Sequence, residues 1–264
     1  MSADELVRPE IGGAVATLTL NRPEARNALP KRGWMLLHDQ LERLGADATV
    51  RAVVLTGEGT AFCSGDDIKE CAELMEREGL FAVREITLAI QRVTRDIVAL
   101  PKPVIAAVNG WALGAGFELA LACDFVYAAE SARFGFPETS IGLTITGGVS
   151  RLLTQTISLP QAKELAFTAR RITAQEALAL GLVNRVVPDS ELLAAVRATA
   201  DEIAANSPTA IALQKAGLNA AAESTLESAL EHETATVCTA LASEDGREGM
   251  RAFVEKRPAV WPGA

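Results

Sequence analysis

The chain has 264 residues, of which 49% are apolar, enough to bury one large continuous core. A formal net charge of −9 argues against nucleic acid or an anionic membrane as the main partner, because both require a basic face. No apolar run reaches membrane-spanning length, the start MSADELVRPE has neither a basic region nor an apolar leader, and Cys63, Cys71, Cys123 and Cys238 form no CxxC pairing; together these predict a cytoplasmic protein with reduced thiols.

The first predicted elements are strands from Glu5 to Pro9 and from Val15 to Leu20, joined as a hairpin by the turn IGGA. Proline and asparagine in residues 21–29, NRPEARNAL, break the strand and lead into a helix from about Lys31 to Leu44 with the stripe Trp34, Leu37, Leu41 and Leu44. RAVVLTGEG reads as a buried strand. Residues 61–70 then form a loop of small side chains running into a helix near Asp67. An aspartate there suits a helix cap, and Cys63, Ser64 and Gly65 let the backbone approach a ligand. The helical pattern continues toward Leu100 with a break at Glu78-Gly79, and Pro101 and Pro103 end it.

Residues 103–148 concentrate the candidate chemistry. PVIAAVNG is a strand covered on both faces, and Gly114, Ala115 and Gly116 then leave the backbone nearly bare where a helix begins. Bare amides at a helix start form an anion or oxyanion site. Glu118 falls in the first turn of that helix, and Glu138 follows in FGFPETSIGL. Each also has a plain structural reading: Glu118 as a complement to the helix dipole, Glu138 as a solvated loop acid, the glycines as packing contacts. His38 and His232 lie in helical stretches without partners at metal-ligand spacing, so no metal is expected, and carboxylates and backbone amides remain as the catalytic candidates.

A helix from Arg151 to Ile157 follows Gly147-Gly148. Thr173 and Glu176 have capping-box spacing for a short helix that Gly181 ends, and residues from Asp189 to Glu255 are helical throughout. The pattern is an α/β core with a helical C-terminal part suited to subunit packing.

The segments NRPEARNAL, VVLTGEGTAFCSGDDIKE, AAVNGWALGAGFELALACDFVYAAESARFGFPE, RRITAQEALALGLVNRVV and REGMRAFVEKRP run in order over almost the whole chain, and together they resemble the enoyl-CoA hydratase/isomerase, or crotonase, family. The resemblance implies a spiral of ββα units over residues 1–190 and a helical oligomerisation region over residues 191–264, giving a homotrimer or a hexamer of paired trimers. It implies an acyl-CoA thioester as substrate, with coenzyme A part of that substrate and no separate cofactor. The matching positions are Asp66 and Ala115 for the two amides on the thioester oxygen, Glu118 and Glu138 for acid/base work, and Arg26, Asp66, Asp67, Ile68, Lys69 and Ala115 for coenzyme A contacts. Having both glutamates points to a hydratase of 2-enoyl-CoA, with Glu118 activating water and Glu138 supplying the α proton. A Δ3,Δ2-enoyl-CoA isomerase, or another lyase or hydratase of the family with a specialised acyl group, is the alternative.

Two departures from the family pattern bear on function. Asp66 stands where hydratases usually carry a small apolar residue, and a carboxylate beside developing negative charge is unfavourable unless it is paired or turned away. IGLTITGGVSRLL lacks the usual proline-glycine pattern next to the acyl pocket. From other classes, a nicotinamide oxidoreductase would use Gly114-Ala115-Gly116 as a dinucleotide turn, but Leu119 occupies the position that needs a small residue. A binder of acyl-CoA without turnover would keep the pocket and show no change in enoyl absorbance.

Overall fold

In the computed structural model, which describes residues 6–263, the chain winds through successive strand, strand, helix turns. A hairpin of β1 (Val7–Gly12) and β2 (Val15–Leu20) opens it, turning at Gly13 and Ala14. The expected strand start at Glu5 lies outside the described residues; β1 runs three residues further than Pro9, leaving Gly13, at φ 65°, to make the turn. Next come α1 (Lys31–Ala46), β3 (Ala52–Gly57), β4 (Ala61–Cys63), α2 (Ile68–Glu78) and α3 (Leu80–Ala99). The expected break between the last two is Gly79, at φ 75°. β5 (Val104–Val108), β6 (Trp111–Leu113) and α4 (Ala115–Ala122) form the next turn, followed by β7 (Phe125–Ala129), β8 (Arg133–Gly135), α5 (Val149–Thr156), α6 (Leu159–Thr168), β9 (Arg171–Thr173), α7 (Ala174–Ala179) and β10 (Arg185–Val187). Thr173 and Glu176 make the predicted reciprocal cap of α7.

The opening hairpin lies wholly in the larger of two sheets, and the later strand pairs β3 and β4, β5 and β6, β7 and β8, and β9 and β10 each contribute one strand to each sheet. The larger has the order β1-β2-β3-β5-β7-β10 and is parallel except for the hairpin; the smaller, β4-β6-β8-β9, is built of three-residue strands. Alternation in the larger sheet sends Val53, Leu55, Val104, Ala106 and Val108 into the main core with α1, α3 and α4. The opposite side chains, Val54, Ile105, Ala107 and Tyr127, pack on the buried face of α8 (Leu192–Ala204). Two covered faces explain why these strands are continuous apolar runs in the sequence.

Within the C-terminal region, α8 lies on the sheet, whereas α9 (Pro208–Ala221), α10 (Leu226–Ala242) and α11 (Glu244–Glu255) pack on one another. An ion pair between the buried Lys215 and the half-buried Asp124 fastens α9 to the core: Lys215 Nζ donates to Asp124 Oδ2 at 2.7 Å and to the Ile97 carbonyl at 2.8 Å. No helix among the described residues is long and apolar enough to cross a membrane.

Candidate active site

Two turns, one at the C-terminal end of β4 and one at that of β6, meet backbone to backbone. Gly65 at φ 98° carries the chain from β4 into Asp66 and Asp67, and Gly114 at φ 54° carries it from β6 into Ala115. Only glycine permits the approach. A side-chain carbon at Gly116 would fall 2.1 Å from the Cys63 carbonyl oxygen, and one at Gly65 would fall 3.1 Å from the Ala115 nitrogen. The N–H groups of Asp66 and Ala115 have no acceptor among the described residues, so two neighbouring amides remain available to an incoming oxygen.

The first turn is held from behind by residues 22–29. Arg26 and Asn27 both adopt left-handed backbone angles, and the fully buried Asn27 side chain donates to the carbonyls of Glu58 at 3.0 Å and Ala61 at 2.7 Å. Ser64 N–H donates to the Arg26 carbonyl, Leu29 N–H to that of Gly65, and Asp67 N–H to that of Leu29. Asp67 itself is a fastening: one oxygen accepts from the N–H groups of Lys69 and Glu70, capping α2, and the other pairs with Arg22 at 2.6 Å. Arg26, Ile68 and Lys69 thereby gather, exposed, at one rim next to Asp66.

Three carboxyls face this region. Glu118, 1% exposed on α4, accepts from Thr146 N–H at 2.9 Å on Oε1, and from Gly147 N–H at 2.5 Å and the Thr146 hydroxyl at 3.3 Å on Oε2. Burial raises its pKa, and these three donors work against the rise. Glu138 follows Pro137 in a 3-10 turn, Glu138–Ile141, closed by Gly142 at φ 77°. Its Oε1 lies 3.0 Å from where a side-chain carbon on Gly114 would sit, and its Oε2 is buried without a hydrogen-bond partner. Burial, and then the charges of Glu118 and Asp66, push its carboxyl up to about 7 against its own backbone N–H. Asp66 also rises to about 7 through burial, opposed by a 2.8 Å bond from Trp34 Nε1 and reinforced by Glu118 and Glu70. The Asp66 side chain is thus paired with Trp34.

The family resemblance singled out Arg26, Asp66, Asp67, Ile68, Lys69, Ala115, Glu118 and Glu138; the structure puts Asp66 to Lys69 on the β4 turn and the start of α2, Ala115 and Glu118 in the first turn of α4, Glu138 against Gly114, and Arg26 behind the β4 turn, where its carbonyl accepts from Ser64 N–H. The resemblance did not reveal Trp34, read only as a core position, or Thr146 and Gly147 as the holders of Glu118. The glycine pair 147–148 was the available signal: a side-chain carbon at Gly147 would fall 2.6 Å from Glu118 Oε2. Cys63, buried, has its thiol pushed up to about 12 by burial and is inert as a nucleophile. Among the described residues, no group of three or more His, Cys, Asp or Glu side chains is placed to hold a metal ion.

The profile of the enoyl-CoA hydratase/isomerase family matches residues 10–264. The chain is 40% identical to the short-chain-enoyl-CoA hydratase of Clostridium acetobutylicum over 246 residues, 93% of each chain, and 39% identical to the crotonyl-CoA hydratase of Syntrophomonas wolfei over the same share of each. It superposes on the crystal structure of an enoyl-CoA hydratase from Bacillus anthracis with a TM-score of 0.93 at 37% identity, covering 98% of this chain and 100% of that one.

Proposed function

The chain belongs to the enoyl-CoA hydratase/isomerase family, and from that premise we infer that it is an enoyl-CoA hydratase, adding water reversibly across the 2,3 double bond of a 2-enoyl-CoA thioester. The observation that carries the mechanism is the unequal treatment of the buried Glu118 and the half-buried Glu138 beside the paired turn amides. Three donors favour the ionised form of Glu118, while the unpartnered oxygen of Glu138 favours the protonated form.

In the proposed reaction the thioester oxygen accepts from the N–H groups of Asp66 and Ala115, each contributing about 3 to 4 kcal/mol as enolate charge develops. Glu118 takes one proton from water, and the hydroxide oxygen bonds to the β carbon. The electron pair of the double bond moves toward the thioester, and Glu138 gives its proton to the α carbon. One water has been added, and the proton now on Glu118 returns to Glu138 directly or through solvent. Arg26 and Lys69 supply local cations for the phosphates of coenzyme A on an otherwise acidic chain, with Asp67 and Ile68 fixing the α2 start that presents Lys69.

Loss of the conjugated-thioester absorbance of crotonyl-CoA tests this reading. Crotonyl-CoA is the first choice because a relative's name specifies that acyl group and another's specifies short chains. Native protein should consume it, and Glu118→Gln and Glu138→Gln should each lose at least about a hundredfold in kcat. Retention of 3-enoyl-CoA isomerisation by Glu118→Gln, with no hydration by the native protein, would replace the hydratase by the isomerase. We place the protein in the cytoplasm as a homotrimer or a hexamer of paired trimers.

A further inference from the structure

We propose that Gln91, assisted by Thr94, is a positioning residue for Glu118, acting through the peptide unit between Thr146 and Gly147; this rests on the reading of Glu118 as the base toward water. The peptide is held at both ends. Gln91 Nε2 donates to the Thr146 carbonyl at 3.2 Å, and the N–H on the other side of the same planar unit, that of Gly147, donates to Glu118 Oε2 at 2.5 Å. Thr94 Oγ1 donates to the next carbonyl, that of Gly147, at 2.9 Å. Two side chains one turn apart on α3 therefore fix the direction in which the loop's amides face α4.

Such a fastening matters because of the residue it acts on. Glycine tolerates positive φ, so the unit preceding Gly147 can rotate to the opposite orientation at small cost. Rotation would turn the Thr146 carbonyl toward Glu118 and replace a donor by a negative dipole against a buried carboxylate. The carboxylate would then hold its proton to higher pH and be a base over a narrower range. A surface cleft is lined by Gln91, Thr94, Arg95, Thr146 and Gly147, so both ends of the fastening border it. Gln91 itself is steadied by Arg95, whose Nη2 lies 3.5 Å from its Oε1. Gln91 and Thr94 bond the loop carbonyls and make no hydrogen bond to Glu118 or Glu138.

Gln91→Leu keeps a side chain of similar length and removes the donor, Thr94→Val removes the hydroxyl, and Thr94→Ser retains it. The hydration of crotonyl-CoA by each, followed as kcat and KM from about pH 5 to 9, reads the effect on Glu118. Gln91→Leu should lose about tenfold in kcat with KM within about twofold, and its acid limb in kcat/KM should move up by about half a pH unit or more. Thr94→Val should move the same way by less, and Thr94→Ser should stay near the native protein. Amide hydrogen exchange in residues 143–149, read by mass spectrometry, should quicken in Gln91→Leu, which removes the donor to the Thr146 carbonyl, and in Glu118→Gln, which leaves one acceptor oxygen for the two N–H groups of Thr146 and Gly147. An unmoved acid limb with unchanged exchange in Gln91→Leu overturns the proposal, as does a Thr94→Ser variant as impaired as Thr94→Val. If the native protein hydrates no enoyl-CoA, the functional reading fails alone, and the exchange comparison still decides whether the bridge exists.

Discussion

Glu118 and Glu138 have the same side chain and differ in what their oxygens meet. Glu118 receives two backbone N–H groups and a hydroxyl, whereas Glu138 has one oxygen sealed from solvent with nothing to bond. Hydration requires the pair to carry one proton, on Glu138, so kcat/KM should fall as pH rises through about 7, where that proton is lost. A profile flat from pH about 6 to 9 would contradict the assignment of Glu138 as the acid. Asp66 permits a separate prediction, in stability. Folding raises its pKa from 3.8 to about 7, so between these values the folded state binds more protons and stability declines as pH rises. Asp66→Asn keeps an acceptor for Trp34 Nε1 and cannot ionise. It should be more stable than the native protein by about 4 kcal/mol at pH 8 and nearly equal to it at pH 4, measured by denaturant midpoints. An equal gain at both pH values would remove ionisation as the cause.

At the scale of elements, the site depends on how closely the β4 and β6 turns approach. Gly116→Ala would place a carbon 2.1 Å from the Cys63 carbonyl, and backbone has to move to admit it. We expect kcat/KM to fall about a hundredfold or more, together with a lowered melting midpoint, because the two amides would no longer point at one oxygen. Asp67→Ala should act differently. It removes the cap of α2 and the partner of Arg22, destabilising the protein by about 1 to 2 kcal/mol, and it should raise KM for the thioester more than it lowers kcat, since Lys69 rides on that helix start. These elements were unequally legible in the sequence. β3 and β5 declare themselves because both their faces are buried, and the α7 cap because Thr173 and Glu176 are three positions apart. The strands of the smaller sheet are three residues each, too short to display a period of two, and the sequence offers a loop in place of β4. Trp34 and Asp66 are 32 positions apart and Gln91 and Thr146 are 55 apart, so no local pattern joins them. The glutamate pair itself was legible through family motifs; taken singly, each glutamate favoured its structural reading, because structural carboxylates outnumber catalytic ones.

For the whole molecule, the C-terminal helices pose a problem of solubility that one chain does not solve. Lys215, buried, pairs with the half-buried Asp124 and fastens α9 to the core, and α10 and α11 pack on α9. Yet they present Leu226 at 69% exposure, Val237 at 52%, Phe253 at 86% and Val254 at 79%. Large apolar side chains this exposed on α10 and α11 call for another protein surface, and further copies of the same chain are always at hand. The family resemblance implies three copies, and we propose a trimer or a hexamer of paired trimers as the state in solution. Sedimentation of the native chain should give that mass at micromolar concentration. Val237→Glu and Phe253→Glu together should reduce it to a single chain, because each would place a charge in a closed interface without a partner. The two substitutions lie far from Glu118, Glu138 and the turn amides in sequence and alter none of their hydrogen bonds. Residual hydration by the dissociated variant would then separate two roles for these helices: activity near that of the native protein means each chain carries a complete site, and its loss with an intact fold by circular dichroism means the neighbouring chain completes it. A native protein that sediments as a single chain would refute the trimer outright and leave the apolar face to a partner of another kind.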